Sequence, residues 1–169
     1  MNIAPATYGL KFPNNQSFPE IFPNFVVDKY YKVGRILAFD VGKKRVGIAA
    51  TDPLRIIANG LTTLAVAEVL PFLTRYISTE NVDLFVVGYA RQADGSESES
   101  MKYIHPFVRS LKNKFPQIPV EWMDERFTSQ MAFQTMIDAG LKRMARRDKA
   151  LVDKISATII LQSFLEISK

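Results

Sequence analysis

Residues 35–52 read Arg-Ile-Leu-Ala-Phe-Asp-Val-Gly-Lys-Lys-Arg-Val-Gly-Ile-Ala-Ala-Thr-Asp, a pattern that predicts two strands joined by a tight turn. Residues 36–39 and 46–50 are apolar and partly β-branched, which suits a buried pleated surface, and Gly42 sits where the chain must reverse. Asp40 therefore falls at a strand end. A lone carboxylate closing an apolar strand stays solvated or finds a partner, because an unpaired buried charge costs several kcal/mol or shifts its pKa. A bound cation is one such partner; capping of the turn is the alternative role.

Working outward, Asp52-Pro53 turns the chain and a third short strand is expected within 56–64. Val66, Val69, Leu70, Leu73 and Ile77 then recur at helical spacing over 65–79, with a kink expected at Pro71. Residues 82–88 form a continuous apolar run around Asp83, the mark of a strand buried on both faces. A loop follows over 88–100 with Asp94-Gly95-Ser96 at its centre. A second helix is expected over 97–114, interrupted by Pro106, and then a fifth strand over 120–123 that runs into Asp124-Glu125-Arg126. Thr128 or Ser129 can cap a further helix that Gly140 ends, and a last helix covers 149–166. Three hairpin-connected strands followed by alternating helices and strands give an α/β fold, a mixed five-stranded sheet of order 3-2-1-4-5 flanked by helices, with strand 1 central. The ends of strands 1, 4 and 5 then open on one edge, where ligands bind in open α/β sheets. Asp40, Asp94 and Glu125 belong to segments leaving that edge. In the last helix Leu151, Val152, Ile155, Ile159 and Ile160 supply a core face, and the small Ser156 and Ala157 allow close approach to the sheet. Asp153 on that seam is poorly explained by packing, although an acid near a helix start is also favoured by the dipole.

A chain of 169 residues corresponds to about one domain, and a domain of that size buries ~70% of the surface its unfolded chain exposes. It has no cysteine, which rules out disulfides and thiolate metal sites and suits a reducing compartment. No apolar run reaches the ~18 residues of a membrane span, and the start lacks the pattern of a signal peptide, so a soluble cytoplasmic protein without membrane contact is expected. The net charge of +5 is local. Lys142, Arg143, Arg146, Arg147, Lys149 and Lys154 against Asp148 and Asp153 give residues 140–154 a net +4 of it. Such a patch is the footprint of a polyanion-binding surface, with a solvated helix end as the plainer account. Residues 1–32 differ in texture: Pro5, Pro13, Pro19 and Pro23 alternate with seven aromatics between Tyr8 and Tyr31, and no periodicity is visible. They form an N-terminal extension, irregular or arising from a mis-assigned start, ahead of a domain over 33–169.

The chain resembles the YqgF family of bacterial proteins, also called RuvX, described as pre-16S ribosomal RNA nucleases and earlier as Holliday junction resolvases. The resemblance lies in Gly34-Arg-Ile-Leu-Ala-Phe-Asp40-Val-Gly-Lys-Lys-Arg-Val-Gly-Ile-Ala-Ala-Thr-Asp-Pro53, Val86-Val-Gly-Tyr89, Asp94-Gly-Ser96, Asp124-Glu-Arg126 and Leu151-Val-Asp-Lys-Ile-Ser-Ala157 with Leu161-Gln162. It covers essentially everything from Gly34 onward, and several ordered motifs at family spacing are far more specific than any one alone. It implies a ribonuclease H-like fold in which Asp40, Glu125 and Asp153 match the metal-binding, catalytic acids. Two departures stand out. Tyr89-Ala90-Arg91 replaces the commoner apolar, proline-containing run, so substrate contacts are not carried over there, and residues 1–32 have no counterpart because family members begin close to Gly34. Val33 could be encoded by a GTG start codon, which would place the biological N-terminus at 33.

These acids suit phosphodiester hydrolysis. Carboxylate and water oxygens hold Mg²⁺ or Mn²⁺, and two ions roughly 3.5–4 Å apart activate water and stabilise the leaving oxygen. In that arrangement Asp40 would bridge both ions while Glu125 and Asp153 hold one each. No histidine is needed, and His105, the only one, precedes a proline and reads as structural. Lys43, Lys44, Arg45, Arg126, Arg143, Arg146, Arg147 and Lys149 are the candidate nucleic-acid contacts, and Arg126 could instead orient Glu125. Asp94, Ser96 and Thr128 are additional candidates. The substrate is expected to be precursor rRNA, with branched DNA as the alternative; the protein acts as a monomer or homodimer, since resolving a junction requires two sites related by a twofold axis. Two other classes compete: an actin-like ATPase or sugar kinase, whose first phosphate loop looks similar but which needs a second comparable domain, and a non-catalytic ribosome-assembly module, which needs the basic patch but not the acids.

Overall fold

The computed structural model describes residues 34–89, 97–124 and 148–168. The expected N-terminal extension over 1–32 and the expected helix after Thr128 lie outside the described residues.

Five strands form one sheet in the order β3-β2-β1-β4-β5, as the sequence predicts. Strand β1 spans Arg35–Val41, β2 Arg45–Thr51 and β3 Ala58–Ala65. They pair antiparallel as a meander. Helix α1 (Val66–Ile77) crosses to β4 (Val82–Tyr89), and α2 (Met101–Lys114) crosses to β5 (Val120–Asp124). Strands β4 and β5 run parallel to β1 on its other side, as crossover helices require. The last helix, α3, spans Lys149–Ile167.

The two faces of the sheet are covered differently. Leu37, Phe39, Val41, Phe85 and Val87 pack with Val69 and Leu73 of α1 and with Ile104, Phe107, Val108 and Leu111 of α2. Ile36, Ala38, Ala49, Leu84 and Val86 pack with Ala157, Ile160 and Leu161 of α3. This is the period-two alternation of a strand buried on both sides. Phe39 is fully buried, in edge-to-face contact with Phe85 at 5.5 Å and Phe107 at 5.6 Å between ring centroids. It anchors the strand next to Asp40, and burying such a ring stabilises the fold by about 1.5–3 kcal/mol.

Two helical expectations change. Helix α2 starts at Met101 rather than 97, because Ser98 and Ser100 turn the chain first: the Met101 amide donates to the Ser98 carbonyl and the two hydroxyls meet at 2.5 Å. Serines so placed compete with helical hydrogen bonding. Pro106 does not interrupt α2, which is continuous from Met101 to Lys114. Pro106 lies on the exposed side while Ile104, Phe107, Val108 and Leu111 are buried. The packed face outweighs one missing bond.

Candidate functional site

Asp40 follows Ile36 and Ala38 on the α3 face of β1, so the strand that buries its core residues also aims this carboxylate at the last helix. Asp148 caps α3, accepting from the amides of Ala150 at 2.9 Å and Leu151 at 3.4 Å. Asp153 therefore lies beyond the first turn, where the helix dipole gives an acid little support. It faces Asp40. Burial pushes the Asp40 carboxyl up to about 7, and the neighbouring Asp153 charge pushes it the same way; the Ser156 hydroxyl, donating to Asp40, opposes both. Ser156 stands three residues after Asp153, hence on the same face of α3.

The close approach of α3 rests on glycine. Gly47 of β2 is the cross-strand partner of Asp40, and a Cβ there would collide with the main chain of Asp153. Gly60 of β3 makes room in the same way for Lys154 and Thr158. The Thr63 hydroxyl donates to the Ala150 carbonyl at 2.6 Å, fastening the start of α3 to β3. The helix is thus seated where its backbone can lie against β2, and that seat is what brings Asp153 to Asp40.

The turn between β1 and β2, closed by a 2.9 Å hydrogen bond from the Gly42 amide to the Arg45 carbonyl, carries Lys43 and Lys44 to the rim. Together with Arg45, Lys149 and Asp153 they line an open groove of about 250 Å³. The Arg45 guanidinium donates to the Asp153 carboxylate at 2.9 Å. Of the predicted basic residues, Lys43, Lys44, Arg45 and Lys149 are thus gathered around one acid. Glu125, Arg126, Asp94, Ser96, Thr128, Arg143, Arg146 and Arg147 lie outside the described residues. Strand β5 ends at Asp124, in register with Tyr89 of β4, on the sheet edge where β1 also ends. Among the described residues no three acids or histidines are close enough to hold a metal; the described pair is Asp40 and Asp153. His105 lies apart, 3.6 Å from the Glu97 carboxylate and edge-on to Trp122.

Arg45, Gly47 and Ser156 are the participants that spacing alone leaves unassigned. Arg45 reads as a phosphate contact, Gly47 as a weak point in a strand, and Ser156 as a small packing residue. Only Ser156 carries a usable signal, its helical spacing from Asp153.

Two oxygen donors, one of them half-buried and hard to ionise beside the other, form a donor set suited to a hard divalent cation, which would relieve their repulsion. With four basic side chains around them, the groove also suits a phosphodiester backbone.

Comparison with known proteins agrees with this geometry. The family described as "RuvX: Holliday junction resolvase" matches residues 34–167. Proteins named "Putative pre-16S rRNA nuclease" from Bacteroides fragilis ATCC 25285 and Phocaeicola vulgatus are 54% and 56% identical over 137 residues, covering 81% of this chain and 99% of each relative. One of the same name from Porphyromonas gingivalis is 55% identical over 134 residues, 79% of this chain and 97% of that protein. Among solved structures, Thermus thermophilus RuvC in complex with a Holliday junction substrate superposes with a TM-score of 0.51 at 14% identity, covering 80% of this chain and 97% of that one, a likeness of fold alone. Sheet order, strand directions and this likeness make the fold ribonuclease H-like. With the family match spanning the sheet and the helices that flank it, the chain belongs to the RuvX family.

Proposed function

We propose that this protein is a metal-dependent nuclease that hydrolyses phosphodiester bonds and processes the 5′ end of pre-16S ribosomal RNA in the cytoplasm. The observation that carries the reading is the convergence of Asp40 and Asp153 beside a groove lined by Lys43, Lys44, Arg45 and Lys149. The name shared by the relatives at 54–56% identity supports the RNA substrate.

In this reading Asp40, Asp153 and Glu125 hold Mg²⁺ or Mn²⁺, two ions in the full site. When bound, such ions supply a hydroxide nucleophile at neutral pH and stabilise the leaving oxygen. The chain's own residues do the rest. Ser156 fixes the Asp40 carboxylate, Arg45 pairs with the Asp153 carboxylate until a cation takes its place, and Lys43, Lys44 and Lys149 draw the backbone phosphates into the groove. In the same reading Arg126, Arg143, Arg146 and Arg147 are further phosphate contacts. A basic groove without the acid pair would serve a purely RNA-binding assembly factor; a strained pair of carboxylates facing one another would not.

The family description favours a second substrate, the four-way DNA junction, for which a homodimer would be needed. The deciding experiment offers purified protein precursor 16S rRNA and a four-way junction side by side, with Mg²⁺, with Mn²⁺ and with EDTA, for the parent and for Asp40→Asn and Asp153→Asn. Metal-dependent cleavage of the rRNA by the parent alone is expected. Cleavage of the junction alone would assign the second substrate, and cleavage of neither would overturn the nuclease reading.

A further inference from the structure

On the opposite face of the sheet from the acid pair, at the same edge, a second cavity of about 280 Å³ opens between the β1–β2 turn, α1 and α2. Val41, Leu70 and Phe107 line it together with Tyr103 and Pro106. Val66, in the first turn of α1, also lines it and is 37% exposed. Lys43 and Lys102 contribute the charges, and among the described residues no carboxylate lines the cavity. The Lys102 ammonium lies 5.4 Å from the centre of the Tyr103 ring and 3.6 Å from the exposed Glu99 carboxylate, a pair too solvated to neutralise it firmly. Gly42 and Lys43 line both this cavity and the acidic groove. The two are separated by the width of one turn.

We infer that this cleft is a nucleobase subsite, which receives an unpaired base of the substrate strand next to the phosphate held in the groove. The inference rests on the nuclease reading of that groove. A flat, largely apolar body flanked by phosphates matches an apolar cavity carrying a lysine shared with the groove and a second lysine of its own. Apolar walls with a tyrosine suit base stacking without sequence preference, since every base has a π-face. A base locked in a duplex cannot enter without being unstacked and unpaired. The cleft therefore selects single-stranded segments or the unpaired positions of a branched substrate.

The test measures binding in EDTA, so that cleavage does not contribute. A labelled single-stranded RNA is compared with a series in which one nucleotide at a time is abasic, and DNA of the same sequence forms a second arm that separates the two sources of the base. One position is expected to lose affinity by about five-fold to 150-fold when abasic, the range that stacking of one base gives, while the others change little. Val66→Trp, which fills the cleft from an exposed position, should weaken binding of the intact strand and abolish the position dependence. Ser110→Trp on α2, also exposed, repeats the test from the other wall if the first variant folds poorly. A flat abasic profile, or a profile that both tryptophans leave unchanged, overturns the inference. So does a change in sedimentation with the tryptophans but none in binding, which would make the cleft a contact between copies of the chain. Failure of the nuclease reading looks different: a position-dependent profile without cleavage in Mg²⁺ or Mn²⁺ retires the catalysis and leaves the base site. Cleavage with a flat profile retires only the base site.

Discussion

Asp40 is the residue on which burial, the charge of Asp153 and the proposed metal bear together. Because burial and Asp153 hold its carboxyl at about 7, the metal-free folded chain keeps a proton that the unfolded chain releases near pH 4. The folded state thus binds more protons between those values, and stability falls as pH rises from about 4 to about 7, by on the order of 2–4 kcal/mol. Asp40→Asn should remove that slope, so that in EDTA at neutral pH the variant melts as high as the parent or higher, with no metal-dependent cleavage. Mn²⁺ should raise the parent's melting temperature through binding to the folded state and raise the variant's much less. A turn-capping Asp40 would show the opposite: a loss of about 1 kcal/mol on substitution and an unchanged metal response. Arg45 supplies a second test, since its guanidinium occupies the Asp153 carboxylate that a metal would use. Arg45→Met should lower stability in EDTA by less than about 1 kcal/mol, the range of a solvent-exposed pair, while enlarging the rise in melting temperature that Mn²⁺ produces. A smaller metal response in that variant would mean that Arg45 orients Asp153 for the metal rather than competing with it.

The elements show why part of the site could be read from the chain and part could not. Strand β1 announces itself by its apolar run, and Asp40 by being the one acid in the strand. The α3 core face is only partly plain: Ile160 and the small Ala157 pack against the sheet with Leu161, whereas Leu151, Val152 and Ile155, read as core, are half-buried. What brings the two together is a contact between residues 47 and 153 that no local pattern encodes, because a glycine in a strand reads the same whether a helix, a bulge or nothing lies above it. The pairing of Asp40 with Asp153 is accordingly legible only through resemblance, and that of Arg45 with Asp153 through neither spacing nor resemblance. Pro106 misleads for a related reason: local propensity marks a break, and the buried face of α2 overrides it. Gly47→Ala isolates the element-level contribution. The added Cβ would push α3 away from β2, at a cost of about 1–3 kcal/mol for overpacking, and would separate the two carboxylates. The expected result is a lower melting temperature together with an Asp40 carboxyl that titrates closer to the ordinary aspartate range by NMR. If the glycine is dispensable, both measurements will match the parent.

For the whole molecule the governing feature is where the positive charge lies. Nearly all of the net +5 belongs to residues 140–154, and Lys149 of that stretch lines the groove beside Asp153. In the proposed function a charge placed there acts on the substrate, whereas the same charge elsewhere does not. Lys112 and Lys114 provide the comparison: they are exposed near the end of α2, which leads to the start of β5 and thus to the far edge of the sheet. Neutralising one phosphate-binding side chain should reduce the slope of log affinity against log salt by about 0.7 on a single strand and about 0.9 on a duplex. Converting Arg143, Arg146, Arg147 and Lys149 to glutamine should then flatten the slope by about three units and weaken RNA of any sequence alike, since phosphates carry no sequence information. Converting Lys112 and Lys114 should leave the slope within about half a unit of the parent's. A salt titration of binding in EDTA, run on all three proteins, decides the matter. Equal flattening in the two variants would mean that the molecule's overall charge, and not a track leading to the acids, sets its affinity. An unchanged slope in the fourfold variant would remove residues 143–149 from the interface.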